Sequence, residues 1–120
     1  MYVISLLVKN EFGVMQRVMG EFTRNKINVE TIVVGKCEHP GKSRMVLSVV
    51  SEADAKTALG KLDKLQDIYH SELVPEDGQY AFALLGTAKG NVGVFGSSSQ
   101  VDEIIDMSEP KKYVAALNAL

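Results

Sequence analysis

The first quarter of the chain changes from a strand-like to a helix-like pattern of hydrophobic positions. Residues 2–8 are rich in β-branched and aliphatic side chains and end at the polar pair Lys9 and Asn10, which predicts a first strand. Hydrophobic residues then recur at helical spacing over residues 14–24, with polar residues on the other face, which predicts a first helix. The apolar face of this helix consists of Val14, Met15, Val18, Met19 and Phe22.

Residues 27–74 predict two more strands, a second helix and a fourth strand. Strands are predicted over residues 27–36 and 43–50, and Pro40-Gly41 between them predicts a hairpin turn. Ser51 is the predicted N-cap of the second helix. Its apolar face consists of Ala55, Ala58, Leu59, Leu62 and Leu65. The alternating residues 67–74 predict a half-exposed fourth strand, so the order βαββαβ predicts an α+β, ferredoxin-like fold with both helices on one face of an antiparallel sheet.

A boundary is predicted at Pro75-Glu76-Asp77-Gly78, which divides the chain into a domain of residues 1–75 and an appendage of residues 76–120. Residues 80–87 and 91–96 predict two strands, and Ser97–Ser99 predict the cap of a helix. Ser108 is predicted to begin a last helical piece, with Val114, Leu117 and Leu120 on one side. This ββα(α) appendage weakly repeats the pattern of residues 29–66. Because it is too small to bury its own core, we expect it to dock on the first domain or on a partner subunit.

Composition and charge exclude several classes of protein. Hydrophobic residues make up 46% and charged residues 23%, as in a soluble globular protein rather than a disordered one. The formal charge of −2 lacks the basic excess of a dedicated nucleic-acid binder. No apolar run is long enough to cross a membrane, and the run Val3–Val8 is too short for a signal peptide. The single cysteine, Cys37, fits a cytoplasmic protein.

Four segments, in order and at matching spacing, resemble those of ACT domains, the amino-acid-sensing modules of metabolic regulation. The resemblance is closest to the regulatory small subunit of acetolactate synthase. The segments are NEFGVMQRV at residues 10–18, INVETI at 27–32, EHPGKSRM at 38–45 and KLDKL at 61–65. The resemblance ends near Leu73, and residues 76–120 carry none of its motifs. It implies the βαββαβ fold for residues 1–75 and a branched-chain biosynthetic setting.

The resemblance also implies a binding site for a small, aliphatic amino acid between two subunits. Asn10, Gly13, Val14 and Met15 of one subunit would face Asn28 and Val29 of its neighbour. The amides at a helix N-terminus suit a carboxylate, and Gly13 allows close approach to the backbone. On the residues alone, Asn10 and Gly13 also fit a simple tight turn, and Asn28 a plain helix end. The implied protein is a non-catalytic regulator, at least a dimer, with a catalytic partner such as the acetolactate synthase large subunit and no cofactor.

Two other functions stay open. The chain is alternatively a stand-alone ligand sensor or a homo-oligomeric assembly module, unconnected to acetolactate synthase. A further alternative is an anion or nucleotide binder, because the turn Gly93–Ser99 follows a strand and opens a helix. That turn lacks the Lys of a phosphate-binding loop and the third Gly of a dinucleotide fingerprint. Cys37, His39 and His70 fall short of a zinc ligand set, and no nucleophile is paired with a base, so neither a metal site nor catalysis is predicted.

Overall fold

The computed structural model describes residues 1–75, 79–108 and 110–119, which form two antiparallel sheets and three helices. The elements follow the order β1 Tyr2–Lys9, α1 Val14–Arg24, β2 Thr31–Lys36, β3 Lys42–Val49, α2 Glu52–Leu62 and β4 Ile68–Val74, then β5 Gln79–Thr87, β6 Gly90–Ser97, α3 Ser98–Ser108 and β7 Lys112–Ala119. The first sheet has the strand order β2-β3-β1-β4 and the second the order β6-β5-β7. No helix among the described residues is long and apolar enough to cross a membrane.

The first four strands and two helices form the predicted ferredoxin-like unit. Alternate residues of β1 and β3 point to the helices, and Ile4, Leu6, Met45 and Leu47 are each at most 1% exposed. Helix α1 packs on them through Val14, Val18 and Phe22, and α2 through Ala55, Ala58 and Leu62. Both helices therefore cover one face of the first sheet, as the hydrophobic periodicity predicts.

The second strand begins four residues later than its alternation predicts. Lys26 adopts a left-handed backbone with φ of 57°, and the amide of Ile27 donates to the carbonyl of Phe22 at 2.9 Å. Ile27 is thus held in the core at the end of α1, and residues 27–30 form the approach to the strand. The predicted strand over residues 27–36 is reduced to Thr31–Lys36.

The last element of the chain is a strand, so the prediction of a helical piece after Ser108 is wrong. Helix α3 already includes Ser108, and β7 pairs antiparallel with β5 from Lys112 to Ala119. The open edge of β5 provides backbone partners, and alternation sends Ala115 and Leu117 to the buried side. The appendage is therefore ββαβ. Glu76, Asp77, Gly78 and Leu120, to which the boundary and the last helix were assigned, lie outside the described residues.

The second sheet packs against the face of the first sheet that the helices leave free. Val3, Val46 and Val74 of the first sheet share a core with Ala81, Ala83, Leu85, Val101 and Leu117. Polar groups on this face are paired: the hydroxyls of Thr31 and Ser48 lie 2.5 Å apart, and Arg44 donates to Ser5 at 3.2 Å. The division at residue 75 stays a prediction, although residues after it bury their apolar side chains on the first unit.

Candidate functional site

The turn before α1 requires glycine. Gly13 occupies the N-cap position of α1 with φ of 85° and ψ of −8°, a left-handed backbone that L side chains adopt at a cost. A Cβ added at this position would lie 3.0 Å from Nη1 of Arg17. The backbone at the start of α1 is thus tightly turned and carries no side chain of its own.

The two helices of the first unit begin differently. Ser51 caps α2, because its hydroxyl accepts a hydrogen bond from the amide of Asp54 at 3.1 Å. No side chain caps α1, and its first turn holds no acidic residue. Unpaired amides at a helix start carry partial positive charge and suit a carboxylate. The start of α1 is therefore a place where an anionic group finds donors.

Four of the six predicted site residues lie at this end of the molecule, with different exposure. Asn10 follows β1, its side chain is exposed, and its amide donates to the carbonyl of Gly41 at 3.1 Å. Met15 is 50% exposed, whereas Val14 is 3% exposed and belongs to the core. The predicted contact between a ligand and the Val14 side chain therefore has no support within one chain, and the Val14 amide already donates to the carbonyl of Glu11 at 3.4 Å.

Asn28 and Val29 lie at the opposite end of the first sheet. Strand β2 runs parallel to β1, since both pair antiparallel with β3, so the start of β2 lies beside the start of β1. Asn10 and Gly13 come after the end of β1. The two groups are separated by the length of the sheet, roughly 25 Å for eight residues of strand. Within one chain they form no common site, and Asn28 donates to its neighbour Glu30 at 3.0 Å.

The outer edge of β2 pairs with no strand in the described part of the chain and is lined by exposed apolar residues. Ile32 and Val34, each 39% exposed, pair with Leu47 and Met45 and so share the helix-covered face. Arg17 donates a hydrogen bond to Asp67, which directly precedes β4, so the side of α1 that carries Arg17 faces away from β2. Met15 lies on the opposite side of the helix, towards β2. Sequence analysis did not single out Ile32 and Val34, although the alternation of the strand contained the signal.

Paired charges occupy the side of α1 that carries Arg17. Nε of Arg17 donates to Asp67 at 2.5 Å, and this bond lowers the pKa of the Asp67 carboxyl and raises the pKa of Arg17. A cavity of about 450 Å³ there is lined by Gly13, Gln16, Arg17, Gly20, Arg24 and Leu65. Arg24 pairs with Glu21. Both arginines in this cavity are therefore neutralised, which makes it a poor site for an anion.

The predicted turn Gly93–Ser99 is not a turn, because Gly93–Ser97 belong to β6 and α3 begins directly at Ser98. The end of this segment borders a cavity of about 430 Å³ between the second sheet and the start of the chain. Ser97, Ser98 and Ser99 line it at the N-terminus of α3, but Asp102 does so as well. A carboxylate beside a phosphate repels it, so the cavity lacks the charge that the predicted anion or nucleotide would need. That alternative stays a prediction.

The cysteine and histidines take part in local contacts. Cys37 donates to the carbonyl of Lys42 at 3.7 Å, and Glu38 pairs with Arg44 at 2.7 Å. His70 lies on β4, and its ring is 3.7 Å from Glu72. Within the described ranges, no three Cys, His, Asp or Glu residues form a group that would hold a metal ion.

The chain matches known proteins over both of its parts. The family model described as "AHAS small subunit-like ACT domain" matches residues 4–70. The acetolactate synthase small subunit of Haemophilus influenzae is 35% identical over 68 residues, which cover 56% of this chain and 42% of that relative. The acetolactate synthase small subunit of Mycobacterium bovis is 31% identical over 108 residues, or 88% of this chain and 62% of that relative.

A solved structure extends the likeness to the whole fold. The acetolactate synthase small subunit of Thermotoga maritima superimposes with a TM-score of 0.77 at 20% identity, covering 99% of this chain and 95% of that one. The family model ends at residue 70, close to Leu73 where the resemblance in the sequence ends, and the alignment of 108 residues with the Mycobacterium relative continues past it. The chain nevertheless spans less than half the length of the Haemophilus relative.

Proposed function

The chain belongs to the family of AHAS small subunit-like ACT domains, and on that premise we propose that it is a regulatory subunit without catalytic activity of its own. In this proposal two copies bind a small aliphatic amino acid between them. The ligand is held by Asn10, Met15 and the helix start that Gly13 and Val14 form in one copy, together with Asn28 and Val29 of the other.

One observation carries the proposal, namely the free edge of β2 beside the uncapped start of α1. If two copies pair through β2 in antiparallel fashion, the start of one β2 lies at the end of the other. Asn28 and Val29 of the second copy then arrive at the end of the sheet where Asn10 and Gly13 lie. The pairing also covers the exposed Ile32 and Val34, which gives the dimer an apolar contribution. The separation of the two residue groups within one chain thus becomes their proximity in the dimer.

The residues fit the chemistry of a free amino acid. Its carboxylate would accept from the amides of Met15 and Gln16 in the first turn of α1, which no side chain caps. The Asn10 amide side chain can donate to the carboxylate or accept from the ammonium group. Met15 is half-exposed and Val29 partly buried, so both can contact an aliphatic side chain. Val14 itself offers neither group, because its side chain is in the core and its amide donates to the carbonyl of Glu11 at 3.4 Å.

A ligand shared by two copies favours the dimer arrangement in which both halves of its site meet. Its binding energy is then coupled to dimer geometry and to whatever that geometry contacts. We propose a catalytic subunit such as the acetolactate synthase large subunit as the receiver, and the cytoplasm as the location, where the single thiol of Cys37 stays reduced. The second candidate, a stand-alone sensor, differs only in having no catalytic partner, so copurification with a large subunit distinguishes the two.

Ligand binding is tested first by a thermal-shift panel of the twenty amino acids, with nucleotides as the competing class. A ligand that binds the folded state raises the melting temperature by mass action. With the best aliphatic amino acid, calorimetry on Asn10→Ala should show a loss of about 1.5–3 kcal/mol, roughly 10- to 150-fold in affinity. Asn91→Ala, on the exposed start of β6, is the matched control and should bind like the wild type. A response to nucleotides alone, or equal affinity in Asn10→Ala and wild type, would contradict the proposal.

A further inference from the structure

The face of the second sheet that points away from the first sheet, here termed the outer face, is apolar and uncovered. Along β5 the inward residues Ala81, Ala83 and Leu85 are buried, whereas Phe82 and Leu84 are 44% and 43% exposed. Phe95 on β6 is 60% exposed and Val114 on β7 is 69% exposed. Together these four side chains expose roughly 400 Å², within the range of about 300–600 Å² for the largest apolar patch of a monomer.

Strand register arranges the outer face in rows that cross the three strands. The first row contains Phe95, Phe82 and Ala116, and the next contains Gly93, Leu84 and Val114. The third row is polar at both ends, with Asn91 on β6 and Lys112 on β7. The two apolar rows contain no charged residue. In the first row the large side chain lies on β6 and the small one on β7, and in the second row the order is reversed.

The three aromatic rings of the outer face, those of Tyr80, Phe82 and Phe95, pack against their neighbours on the sheet. A Cβ added at Gly93 would be 3.2 Å from the Phe82 ring, so this ring lies over the glycine. The rings of Tyr80 and Phe95 stack with centroids 6.0 Å apart and planes 5° from parallel. A face made of stacked rings and glycine offers water few hydrogen-bonding groups, so it can pack against the apolar face of another sheet.

We propose that the outer face binds the outer face of a second copy, about a two-fold axis parallel to β5. This axis keeps each row opposite itself and exchanges β6 with β7. On the two flanking strands each large side chain then faces a small one, because Phe95 meets Ala116 of the second copy and Gly93 meets Val114. On the central strand, Phe82 and Leu84 each meet the same residue of the second copy. Lys112 meets Asn91 rather than another Lys112, and no like charges oppose each other. Aligned packing of two sheets, about 10 Å apart and with mean strand directions within about 30° of each other, has this geometry.

This interface is separate from the edge of β2 and needs no ligand. The two surfaces lie on different sheets, so a chain that used both would assemble beyond a dimer. The apolar rows supply about half of the roughly 800 Å² per partner of a standard interface, and the polar row and Tyr80 extend it. A catalytic subunit or another protein on this face is the competing occupant.

Cross-linking tests the axis directly. Leu84 lies on β5 and so faces its own copy across the axis, which predicts that Leu84→Cys in a Cys37→Ser background is captured as a covalent dimer by a short bis-maleimide reagent, since the gap of about 10 Å between packed sheets is too wide for a direct disulfide. Met107→Cys in the same background is the control, because Met107 is 80% exposed on α3, away from the outer face. Equal cross-linking of the two variants, or none in Leu84→Cys, overturns the proposal.

Charge complementation tests the pairing of rows. Phe95→Lys and Ala116→Glu should each weaken this self-association about 30-fold or more in sedimentation, as loss of a central contact does. A mixture of the two variants should associate again, because the lysine of one chain meets the glutamate of the other while the second Phe95–Ala116 contact stays native. Met107→Lys should behave as wild type. Unchanged self-association in Phe95→Lys, or a mixture no more associated than its components, refutes the interface. If Phe95→Lys binds the amino acid with normal affinity, the outer-face interface and the amino-acid site do not depend on each other, and each is judged by its own test.

Discussion

Replacing Gly13 by alanine tests whether the left-handed turn at the start of α1 shapes the candidate site. Gly13 has φ of 85°, and alanine in that region costs about 1–2 kcal/mol. The new Cβ would lie 3.0 Å from Nη1 of Arg17, a flexible group that moves by a few tenths of an ångström at small cost. Backbone strain therefore dominates, and we expect a loss of stability of about 1–2 kcal/mol, or about 3–10 °C in melting temperature for a chain of this size.

The same substitution at Gly60 is the matched control, with the opposite expected sign. Gly60 lies within α2, and a Cβ added there meets nothing within 4 Å. Alanine in a helix is favoured over glycine by about 0.5–1 kcal/mol, so Gly60→Ala should raise the melting temperature. Urea unfolding and calorimetric melting of both variants measure the difference. If Gly13→Ala melts at or above the wild type, glycine is not required at the turn and the account of the site's backbone is wrong.

Three further predictions concern the cap, the ion pair and the contact between the sheets. Ser51→Ala removes the hydroxyl that accepts from the amide of Asp54, so urea unfolding should show a loss of about 1 kcal/mol; an unchanged midpoint would refute the cap. The pKa of Asp67 is lowered from its ordinary 3.8 by Arg17, so the stability from this pair is present above that pH and is lost as the pH falls through the folded pKa. Stability measured against pH should therefore show a constant gap between wild type and Arg17→Gln above about pH 5 that closes in acid, and a gap that widens in acid would contradict the assignment. Val101 is 1% exposed among residues of both sheets, so Val101→Ala should lower stability by roughly 1–3 kcal/mol in thermal melts, and a neutral result would show that the second sheet is not packed as described.

Local patterns in the sequence predict most of the first unit. Val14, Val18 and Phe22 recur at helical spacing and are buried, and Ser51 caps α2 as its position predicts. These elements follow from local periodicity and capping chemistry, which a sequence contains directly. The turn at Pro40-Gly41 likewise joins two strands that pair in register.

Tertiary partners decide what the sequence does not predict. The apolar residues of the segment 112–119 are spaced in a way that is compatible with a helix. The segment nevertheless pairs with the open edge of β5 and forms β7. Ile27 reads as part of a strand by alternation, but the end of α1 holds it in the core. At the candidate site, the order of strands determines that Asn28 lies far from Asn10 in one chain, and no local pattern contains that order. The exposure of Met15 beside the buried Val14 likewise depends on how α1 sits on the sheet.

Mixed dimers reveal directly whether the amino-acid site is built from two copies. Asn10→Ala and Asn28→Ala homodimers should each bind the ligand found in the panel with roughly 10- to 150-fold lower affinity. A dimer with Asn10→Ala in one chain and Asn28→Ala in the other keeps Asn10 and Asn28 together at one of its two sites. Calorimetry on that mixed dimer should therefore find one site per dimer with the affinity of the wild type. A mixed dimer that binds no better than either homodimer would contradict the shared site.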